Sequence, residues 1–310
     1  MKHEVAGDPM TGLKWTRKTT QKIADELNRL NIDVSANTVS RLLKQMGFSL
    51  KLNRKCIESG IKKTPSAEER TQQFEYIKKL KKKFAKQKKP IISVDTKKKE
   101  LIGNFRNNGK SWEQEAVCVN DHDFPQDAKG KAVPYGVYDI EANKGTIFLG
   151  TSHDTPAFAV DAIETWWRTE GRKRYTNVDE LLILADAGGS NSYRSRVWKA
   201  HLHEKLCKPY GISLKVCHYP PGTSKWNPIE HRLFSEISKS WAGKPLNSYE
   251  KVLKYIRTTT TSSGLTVKAH FIRKKYYKGE SVPDAQMKTL PIETHKVLPK
   301  LNYTLRSSRM

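Results

Sequence analysis

The sequence predicts an α/β fold, a mixed sheet with helices on both faces, preceded by a small all-α helix-turn-helix domain. Past residue 90, apolar stretches typical of strands alternate with amphipathic helical stretches in the order β-β-β-α-β-α-β-α. The stretch 181–185 is apolar throughout, as in a strand that helices cover on both faces. Residues 16–50 instead contain two short helical stretches joined by a tight turn. We divide the chain into a loose N-terminus (1–15), the helix-turn-helix domain (16–50), a basic linker and long helix (51–89), the sheet domain (90–267) with a polar insertion (97–131), and a C-terminal extension (268–310).

The charge balance indicates a polyanionic partner. The 310 residues include 57 Lys and Arg against 32 Asp and Glu, a net charge of +25. Such an excess is typical of proteins that bind nucleic acid. No apolar run approaches the ~18 residues of a membrane span, and no signal peptide is visible, so we expect a cytoplasmic protein without a membrane partner. The four cysteines form no Cys-x-x-Cys pair, which fits reduced thiols in a cytosol.

The helix pair in residues 16–50 predicts DNA binding. The first helix is expected over residues 20–30, and the second begins after Ser35, a good N-cap, and ends at Gly47. In a basic chain, the outward face of the second helix would meet base edges and phosphates. A plain helical hairpin with a solvated face is the alternative. The outward residues are Asn37, Thr38, Arg41 and Lys44, and those expected to face inward are Ile23, Ala24, Leu27, Leu30, Val39, Leu42, Leu43 and Met46.

A long helix is predicted between the two domains. Residues 66–69 have the capping-box pattern, and apolar residues follow at helical spacing until Pro90 ends the helix. Eight lysines lie between Lys78 and Lys89. We predict that this run contacts phosphates, with Lys81 and Lys82 as candidate contacts. A solvated, charged helix end is an equal alternative.

The elements of the sheet domain follow from its apolar periodicity and its turn residues. A polar insertion separates the first strand from the second, and a Pro-Pro-Gly sequence precedes the last helix. Strands are predicted at 91–95, 134–140, 146–151, 181–185 and 213–217, and helices at 155–169, at 194–206 and from residue 228 onward.

Three carboxylates lie where strands end. Asp95 closes the first strand, Asp186 follows the strand 181–185, and Glu230 lies near the start of the last helix. In open α/β sheets, sites gather beyond the carboxyl ends of the strands, so these side chains converge if their strands are neighbours. Three carboxylates at one point repel one another and require cations, and hard oxygen ligands select Mg²⁺ or Mn²⁺. Two such ions can activate an attacking oxygen and stabilise the leaving oxygen of a phosphodiester.

Glu230 has a second interpretation. Asn227 is a good N-cap and Pro228 suits the first helical position, so Glu230 could close a capping box with Asn227. Yet Glu230 falls near the middle of an apolar stripe, where a carboxylate is costly unless it is paired or binds a metal. Lys225, just before this helix, is a further candidate DNA contact. The apolar stripe consists of Ile229, Leu233, Phe234, Ile237 and Trp241.

Five motifs carry a resemblance to a known family. They are VDTKKKE (94–100), PYGVYD (134–139), ADAGGSN (185–191), PPGTSKWNPIEHRLF (220–234) and TTTTSSGLTV (258–267). In these motifs, and over nearly the whole chain from about residue 8, the sequence resembles bacterial insertion-sequence transposases of the DDE type, within them the Rhodopirellula-type family, and more distantly the mariner elements. The resemblance implies a ribonuclease-H-like catalytic core, with Asp95, Asp186 and Glu230 as the triad that binds Mg²⁺ or Mn²⁺.

The resemblance also implies an activity and partners. The expected enzyme binds the ends of an insertion sequence, nicks DNA with water, and joins the freed 3′-hydroxyl to a target. Its partners would be double-stranded DNA, at element ends and target, and further copies of the chain in a homo-oligomer on that DNA. The expected location is the bacterial cytoplasm, in association with the nucleoid. Two alternatives stay open: a truncated transposase that acts as a DNA-binding repressor, and a ribonuclease-H-like nuclease without strand transfer.

The sequence departs from the family pattern at two points. Ala187 stands where relatives commonly have glycine, which is a minor change. Only about 15 residues precede the helix-turn-helix, whereas relatives tend to carry further sequence there. The short N-terminus predicts that part of the end-binding region is missing, without affecting the chemistry of the core.

Overall fold

The computed structural model describes residues 18–50 and 65–307, together with the backbone of residues 5–7 and 14–16. The linker that was expected after residue 50 falls largely outside these ranges. The chain divides into two compact units, residues 1–60 and residues 61–310. None of the helices in the described ranges is long and apolar enough to cross a membrane.

The first unit contains the predicted pair of helices. Strands β1 (Val5–Gly7) and β2 (Lys14–Thr16) pair antiparallel in the segment that was expected to be loose. Helices α1 (Thr20–Arg29) and α2 (Ala36–Gln45) follow. The side chain of Ser35 accepts a hydrogen bond from the backbone N–H of Thr38, so the predicted cap of α2 is confirmed.

The contact between α1 and α2 is narrower than predicted. Ile23, Ala24 and Val39 are buried between the helices. Leu30 and Met46 are instead 69% and 70% exposed, and Leu42 is also exposed, so their predicted inward position is wrong. Two ten-residue helices shield only the residues near their crossing, and Leu30 and Met46 lie at the helix ends.

The second unit begins with the long helix α3 (Ala67–Lys86). Its predicted capping box is confirmed: Ser66 N–H donates to Glu69 Oε2 over 2.7 Å, and Glu69 N–H donates to Ser66 Oγ over 3.1 Å. Ile77, Leu80 and Phe84 are buried against the sheet.

A nine-stranded mixed sheet forms the body of the second unit. The strands are β3 (Ile91–Thr96), β4 (Glu100–Ile102), β5 (Gly130–Asp139), β6 (Lys144–Gly150), β7 (Glu180–Ala185), β8 (Ser213–His218), β9 (Thr266–Phe271), β10 (Ile292–Thr294) and β11 (Asn302–Leu305). The centre of the sheet has the order β6-β5-β3-β7-β8: β3, β5 and β6 form an antiparallel meander, and β7 and β8 continue parallel to β3. This is the ribonuclease-H-like arrangement, as predicted.

Helices cover both faces of the sheet, as predicted. Alternate residues of β3 point to opposite faces: Ile92 and Val94 pack against the helices at 156–166 and 196–202, and Ile91 packs against α3. Three π-helical turns, at Trp167–Gly171, His203–Cys207 and Glu230–Phe234, extend or precede helices. The helices after α3 are α4 (Pro156–Trp166), α5 (Arg172–Arg174), α6 (Arg196–Leu202), α7 (Lys208–Tyr210), α8 (Ser235–Ser240), α9 (Tyr249–Arg257) and α10 (Asp284–Thr289).

Several boundaries differ from the sequence prediction. β5 begins at Gly130 rather than at residue 134, because its first residues pair with β4, a strand inside the polar insertion. The C-terminal residues 268–310 supply most of β9, which runs parallel to β6, and all of β10 and β11, which extend the sheet beyond β8. These strands have three to six residues, too few for a clear apolar alternation.

Candidate active site

The register of the central strands places two aspartates side by side. β3 and β7 are parallel neighbours in which Val94 pairs with Ala185, so the next residues, Asp95 and Asp186, are adjacent. Neighbouring strands lie about 4.8 Å apart. Asp95 is buried and Asp186 is half-buried at this end of the sheet. Their strands are therefore neighbours, which is the condition for the predicted convergence.

Asn227 fastens the start of the Glu230 helix to β3. Ser93 Oγ donates to Asn227 Oδ1 over 2.5 Å, and Asn227 Nδ2 donates to the carbonyl oxygen of Val94 over 3.2 Å. The backbone N–H of Ile229 donates to Ser93 Oγ over 3.0 Å. These bonds hold the helix against the two residues that precede the aspartate of β3, and so bring Glu230 to the same edge.

The same bonds show that the capping-box interpretation is wrong. The two backbone N–H groups that a capping box would use are bonded elsewhere: that of Glu230 donates to the carbonyl oxygen of Asn227 over 3.0 Å, and that of Asn227 donates to the carbonyl oxygen of Ser224 over 2.8 Å. The amide of Asn227 is fully buried, so both its oxygen and its nitrogen need partners. β3 supplies an acceptor and a donor together, which the helix end cannot do.

Glycines let this helix lie close to the sheet. Gly136 pairs with Asp95 across β5 and β3. A Cβ atom on Gly136 would lie 2.6 Å from Phe234 Cε1 and 2.8 Å from Ile229 Cδ1, closer than van der Waals contact allows. A side chain at position 136 would therefore push away the helix that carries Glu230.

The environment of Asp95 favours its protonated form. Burial raises the pKa of Asp95, and the carboxylates of Asp186, Glu230 and Asp154 raise it further. The hydrogen bond from the backbone N–H of Thr96, 2.7 Å long, opposes this shift in the Asp95 pKa. Three other carboxylates therefore lie close enough to Asp95 to disfavour a negative charge on it.

Asp186 and Glu230 share this environment. Burial raises the pKa of Asp186, as do the carboxylates of Glu230 and Asp154, against hydrogen bonds from Gly188 and Asn191. Burial also raises the pKa of Glu230, whereas the Lys97 ammonium and a hydrogen bond with Asp95 lower it. The structure thus brings the three predicted carboxylates together.

Asp154 is a fourth carboxylate that sequence reasoning missed. Its side chain is 11% exposed, accepts a hydrogen bond from Thr96 Oγ1 over 2.9 Å, and pairs with Lys99 over 3.3 Å. In the sequence it directly precedes Thr155, the N-cap of α4, and there it looks like an ordinary helix start. Only the fold shows that this position faces the end of β3.

Lys97 supplies a buried positive charge beside the carboxylates. Its ammonium lies 2.9 Å from Glu100 Oε1 and 4.5 Å from the centre of the Trp241 ring. The sequence did not distinguish it from the neighbouring lysines, because a run of three lysines is typical of a solvated loop. Burial under Trp241 separates Lys97 from the exposed Lys98.

Asn191 connects the two aspartates to the core. Its Nδ2 lies 3.5 Å from Asp95 Oδ1, and its side chain also lowers the pKa of Asp186. The hydroxyl of Tyr135 donates to Asn191 Oδ1 over 2.7 Å. Both Tyr135 and Asn191 are buried, so this chain of bonds fixes the orientation of the carboxylates.

A buried histidine holds the backbone of Asp186. Burial lowers the pKa of His218 to about 4, so the ring is neutral. Nδ1 lies 2.8 Å from the carbonyl oxygen of Asp186, which can only accept, and it therefore carries the proton. Nε2 then accepts from Tyr303 Oη over 3.3 Å, and Tyr303 accepts from Trp198 Nε1 over 3.0 Å.

This network reaches the C-terminal part of the sheet and the long helix. Tyr303 and Asn302 belong to β11, and Gln73 belongs to α3. Gln73 Nε2 donates to the His218 carbonyl over 2.8 Å and to Asn302 Oδ1 over 2.7 Å. Hydrogen bonds from β11 and α3 therefore help to hold the backbone of Asp186 in place, through His218.

The carboxylates suit a hard divalent cation. Oδ1 of Asp186 is buried and accepts no hydrogen bond from the described part of the chain. A buried, unpaired carboxylate oxygen is costly, and oxygen donors of this kind are those that Mg²⁺ and Mn²⁺ prefer. Among residues 18–50 and 65–307, no three His, Cys, Asp or Glu side chains are close enough together to form a complete metal site. The donors therefore fit Mg²⁺ or Mn²⁺ in their chemistry, and in this arrangement they are not grouped as a complete coordination shell.

The candidate DNA contacts differ in accessibility. In the first unit, Asn37, Arg41 and Lys44 are exposed, whereas Thr38 is half-buried and hydrogen-bonded to the cap Ser35. In the second unit, Lys82 and Lys225 are exposed, and Lys225 Nζ lies 5.5 Å from the centre of the Trp226 ring. Lys81 is half-buried, and burial lowers its pKa. Thr38 and Lys81 are therefore less available to DNA than was predicted.

Solved structures of the Mos1 transposase are similar to this chain. The Mos1 paired-end complex with the left transposon end has 16% identity and a TM-score of 0.46, over 77% of this chain and 65% of the Mos1 chain. The Mos1 strand transfer complex has 17% identity and a TM-score of 0.45, over 77% and 64%. The mariner Mos1 paired-end complex with Mg has 17% identity and a TM-score of 0.44, over 77% and 65%. Less than two thirds of the Mos1 chain is therefore spanned.

One sequence family accounts for nearly the whole chain. No curated protein sequence matches it. The family model described as the Rhodopirellula transposase DDE domain matches residues 1–307, which takes in the helix pair, the nine-stranded sheet and all three carboxylates. The resemblance noted in the five sequence motifs is thereby confirmed, and the chain belongs to the family of Rhodopirellula-type DDE transposases.

Proposed function

We propose that this chain binds the ends of an insertion sequence and catalyses metal-dependent DNA strand cleavage and strand transfer. The observation that carries the proposal is the meeting of Asp95, Asp186 and Glu230 at one edge of the sheet. Two come from adjacent parallel strands, and the third from a helix fastened to β3 by Asn227. These three residues are the proposed ligands of Mg²⁺ or Mn²⁺, as two ions.

The bound ions would supply charge for an attacking oxygen and for the leaving oxygen of a phosphodiester. The chain's own residues prepare the site for them. Asn191 orients both aspartates, and His218 fixes the backbone of Asp186. Lys97 offsets part of the negative charge near Glu230, because its ammonium lowers the Glu230 pKa.

The proposed partners are double-stranded DNA and further copies of this chain. A net charge of +25 suits a long polyanion. The exposed face of α2, with Asn37, Arg41 and Lys44, is the proposed reader of the element ends. Lys82 and Lys225 are the proposed phosphate contacts of the second unit. A homo-oligomer on the paired ends and a cytoplasmic, nucleoid-associated location complete the proposal.

A strand-transfer assay tests this function. A duplex that carries the element end would be incubated with the protein, a target plasmid and Mg²⁺. We expect nicked end DNA and end–target joints from the wild type, and neither from Asp186→Asn, which should still bind the end. Cleavage without joints would identify a nuclease. Binding without cleavage by the wild type would identify a repressor and contradict the proposal.

A further inference from the structure

A cavity opens directly beside Asp186. It has a volume of about 330 Å³ and lies between the segment after β7, residues 187–194, and the segment after β8, residues 220–224. Asp186 itself lines it. The proposed metal site accounts for the carboxylate, but not for the space next to it.

Glycines and prolines form much of the wall of this cavity, so few long side chains enter it. Gly188, Pro220, Pro221 and Gly222 line it. Gly188 has an extended backbone, with φ −122° and ψ −172°, which any residue can adopt. The nearest atom to a Cβ built there would be Asp186 Oδ2, at 3.7 Å, so glycine leaves open the space next to the carboxylate.

An arginine is held at the rim. The Arg194 guanidinium lies 5.2 Å from the centre of the Tyr193 ring, and Arg194 Nε donates to the Tyr193 hydroxyl over 3.0 Å. Tyr193 in turn packs edge-on against the buried His218, with 6.1 Å between ring centres. No carboxylate in the described part of the chain pairs with Arg194, whose side chain is exposed. A stacked guanidinium with free N–H groups is prepared to bind a phosphate.

We propose that this cavity holds a single unpaired nucleotide next to the reacting phosphodiester, with Arg194 on the phosphate of that nucleotide. The inference rests on the proposed function and specifies how DNA enters the site. A volume of about 330 Å³ is at the lower end for ligand pockets and is too small for a base pair. A nucleotide that enters this cavity must therefore leave its base pair, with its phosphate next to Asp186. The Tyr193 ring and the two prolines offer apolar surface to a base.

The test combines a protein variant with DNA in which one phosphate is replaced by an uncharged analogue. A set of end duplexes would each carry a single methylphosphonate, placed in turn at each of the three linkages on either side of the cleavage position. Binding of each duplex would be measured with Ca²⁺ in place of Mg²⁺. At one linkage, we expect the neutral group to weaken wild-type binding about tenfold, as for one lost charge-assisted contact. Arg194→Gln should bind the native end about tenfold more weakly and show no further loss at that linkage.

Two further variants test the specificity of the effect: one is a control for the lost charge, and the other tests the cavity. Arg196→Gln removes the same charge two residues away, but this guanidinium binds Asp284 and the Val282 carbonyl instead, so it should respond to the neutral linkage as the wild type does. Gly188→Val places a side chain in the space beside Asp186 without backbone strain and so narrows the cavity. A 2-aminopurine base in the proposed nucleotide should brighten on binding to the wild type, because it unstacks, and stay dim with Gly188→Val.

The outcomes separate this inference from the proposed function. Cleavage by the wild type with no coupling between Arg194 and any linkage overturns the subsite and leaves the function standing. Coupling at one linkage without cleavage keeps the subsite and overturns the function. Failure of the wild type to bind end DNA at all overturns both.

Discussion

At the scale of single residues, the site depends on buried polar groups that do not themselves carry the reaction. His218 lies entirely inside the protein, yet it joins the carbonyl oxygen of Asp186 to a tyrosine of the last strand. Such groups are stable only while each is hydrogen-bonded. The imidazole therefore links the position of Asp186 to the packing of β8 and β11.

Replacing His218 should show this link. His218→Asn keeps an N–H donor near the place of Nδ1, whereas His218→Leu leaves the Asp186 carbonyl without a partner. We expect the leucine variant to lose about 1–3 kcal/mol of stability and most of its stabilisation by Mg²⁺. The asparagine variant should recover the Mg²⁺ response. Thermal melts with and without Mg²⁺ measure both, and an equal Mg²⁺ response in the two variants would reduce His218 to a packing residue.

The raised pKa of Asp95 predicts a pH dependence of stability. Because burial and neighbouring carboxylates raise this pKa in the folded state, the folded protein holds more protons than the unfolded chain above pH ~4. The contribution of Asp95 to stability is therefore full at low pH and is lost as pH rises through the folded-state pKa. Asp95→Asn cannot titrate. In EDTA, its stability relative to the wild type should grow by at least about 1 kcal/mol between pH 5 and pH 8. A constant difference would show that Asp95 is not in a repulsive site.

At the scale of secondary-structure elements, the site depends on how closely one helix lies on the sheet. The Glu230 helix packs its buried stripe over β5 and β6, where Gly136 and Gly145 leave room for Phe234 and Leu233. The predicted burial of this stripe is confirmed. The position of Glu230 is therefore set by glycines on a neighbouring strand, as well as by its own helix.

Gly136→Ala tests this packing. The added methyl group would overlap Phe234, so we expect a loss of about 1–3 kcal/mol in stability and a weaker Mg²⁺ response, because the helix must move. Phe234→Leu in the same chain shortens the side chain that clashes and should restore part of both. A double variant no better than Gly136→Ala would mean that the contact with Phe234 does not position Glu230.

Particular elements show what the sequence could and could not predict. Asp95 and Asp186 were found because each ends an apolar strand, and their pairing then follows from a parallel register. Asp154, Lys97 and the role of Asn227 were missed, because each depends on a contact between distant segments that leaves no local pattern. The C-terminal strands β10 and β11 were missed because three or four residues carry too little periodicity.

At the scale of the whole molecule, the two compact units have different proposed roles, DNA recognition and DNA cleavage. The first unit holds the helix pair with an exposed basic face, and the second holds the carboxylates. Sequence recognition and chemistry should therefore respond to different substitutions. Arg41→Ala should weaken binding to element ends by about 1–3 kcal/mol more than binding to random DNA, because a base contact is lost. Equal losses on both DNAs, measured at one salt concentration, would make Arg41 a phosphate contact.

The central claim is that Asp95, Asp186 and Glu230 hold divalent cations together, and Mg²⁺-dependent melting of Glu230→Gln tests it most directly. Without metal, loss of a repelling charge should leave this variant as stable as the wild type or more stable. At Mg²⁺ a hundredfold above its dissociation constant, the wild type should gain about 2.7 kcal/mol, roughly 5–10 °C in Tm. The variant should gain less than half of this at the same Mg²⁺ concentration. A full shift in Glu230→Gln would contradict the account and remove Glu230 from the metal site.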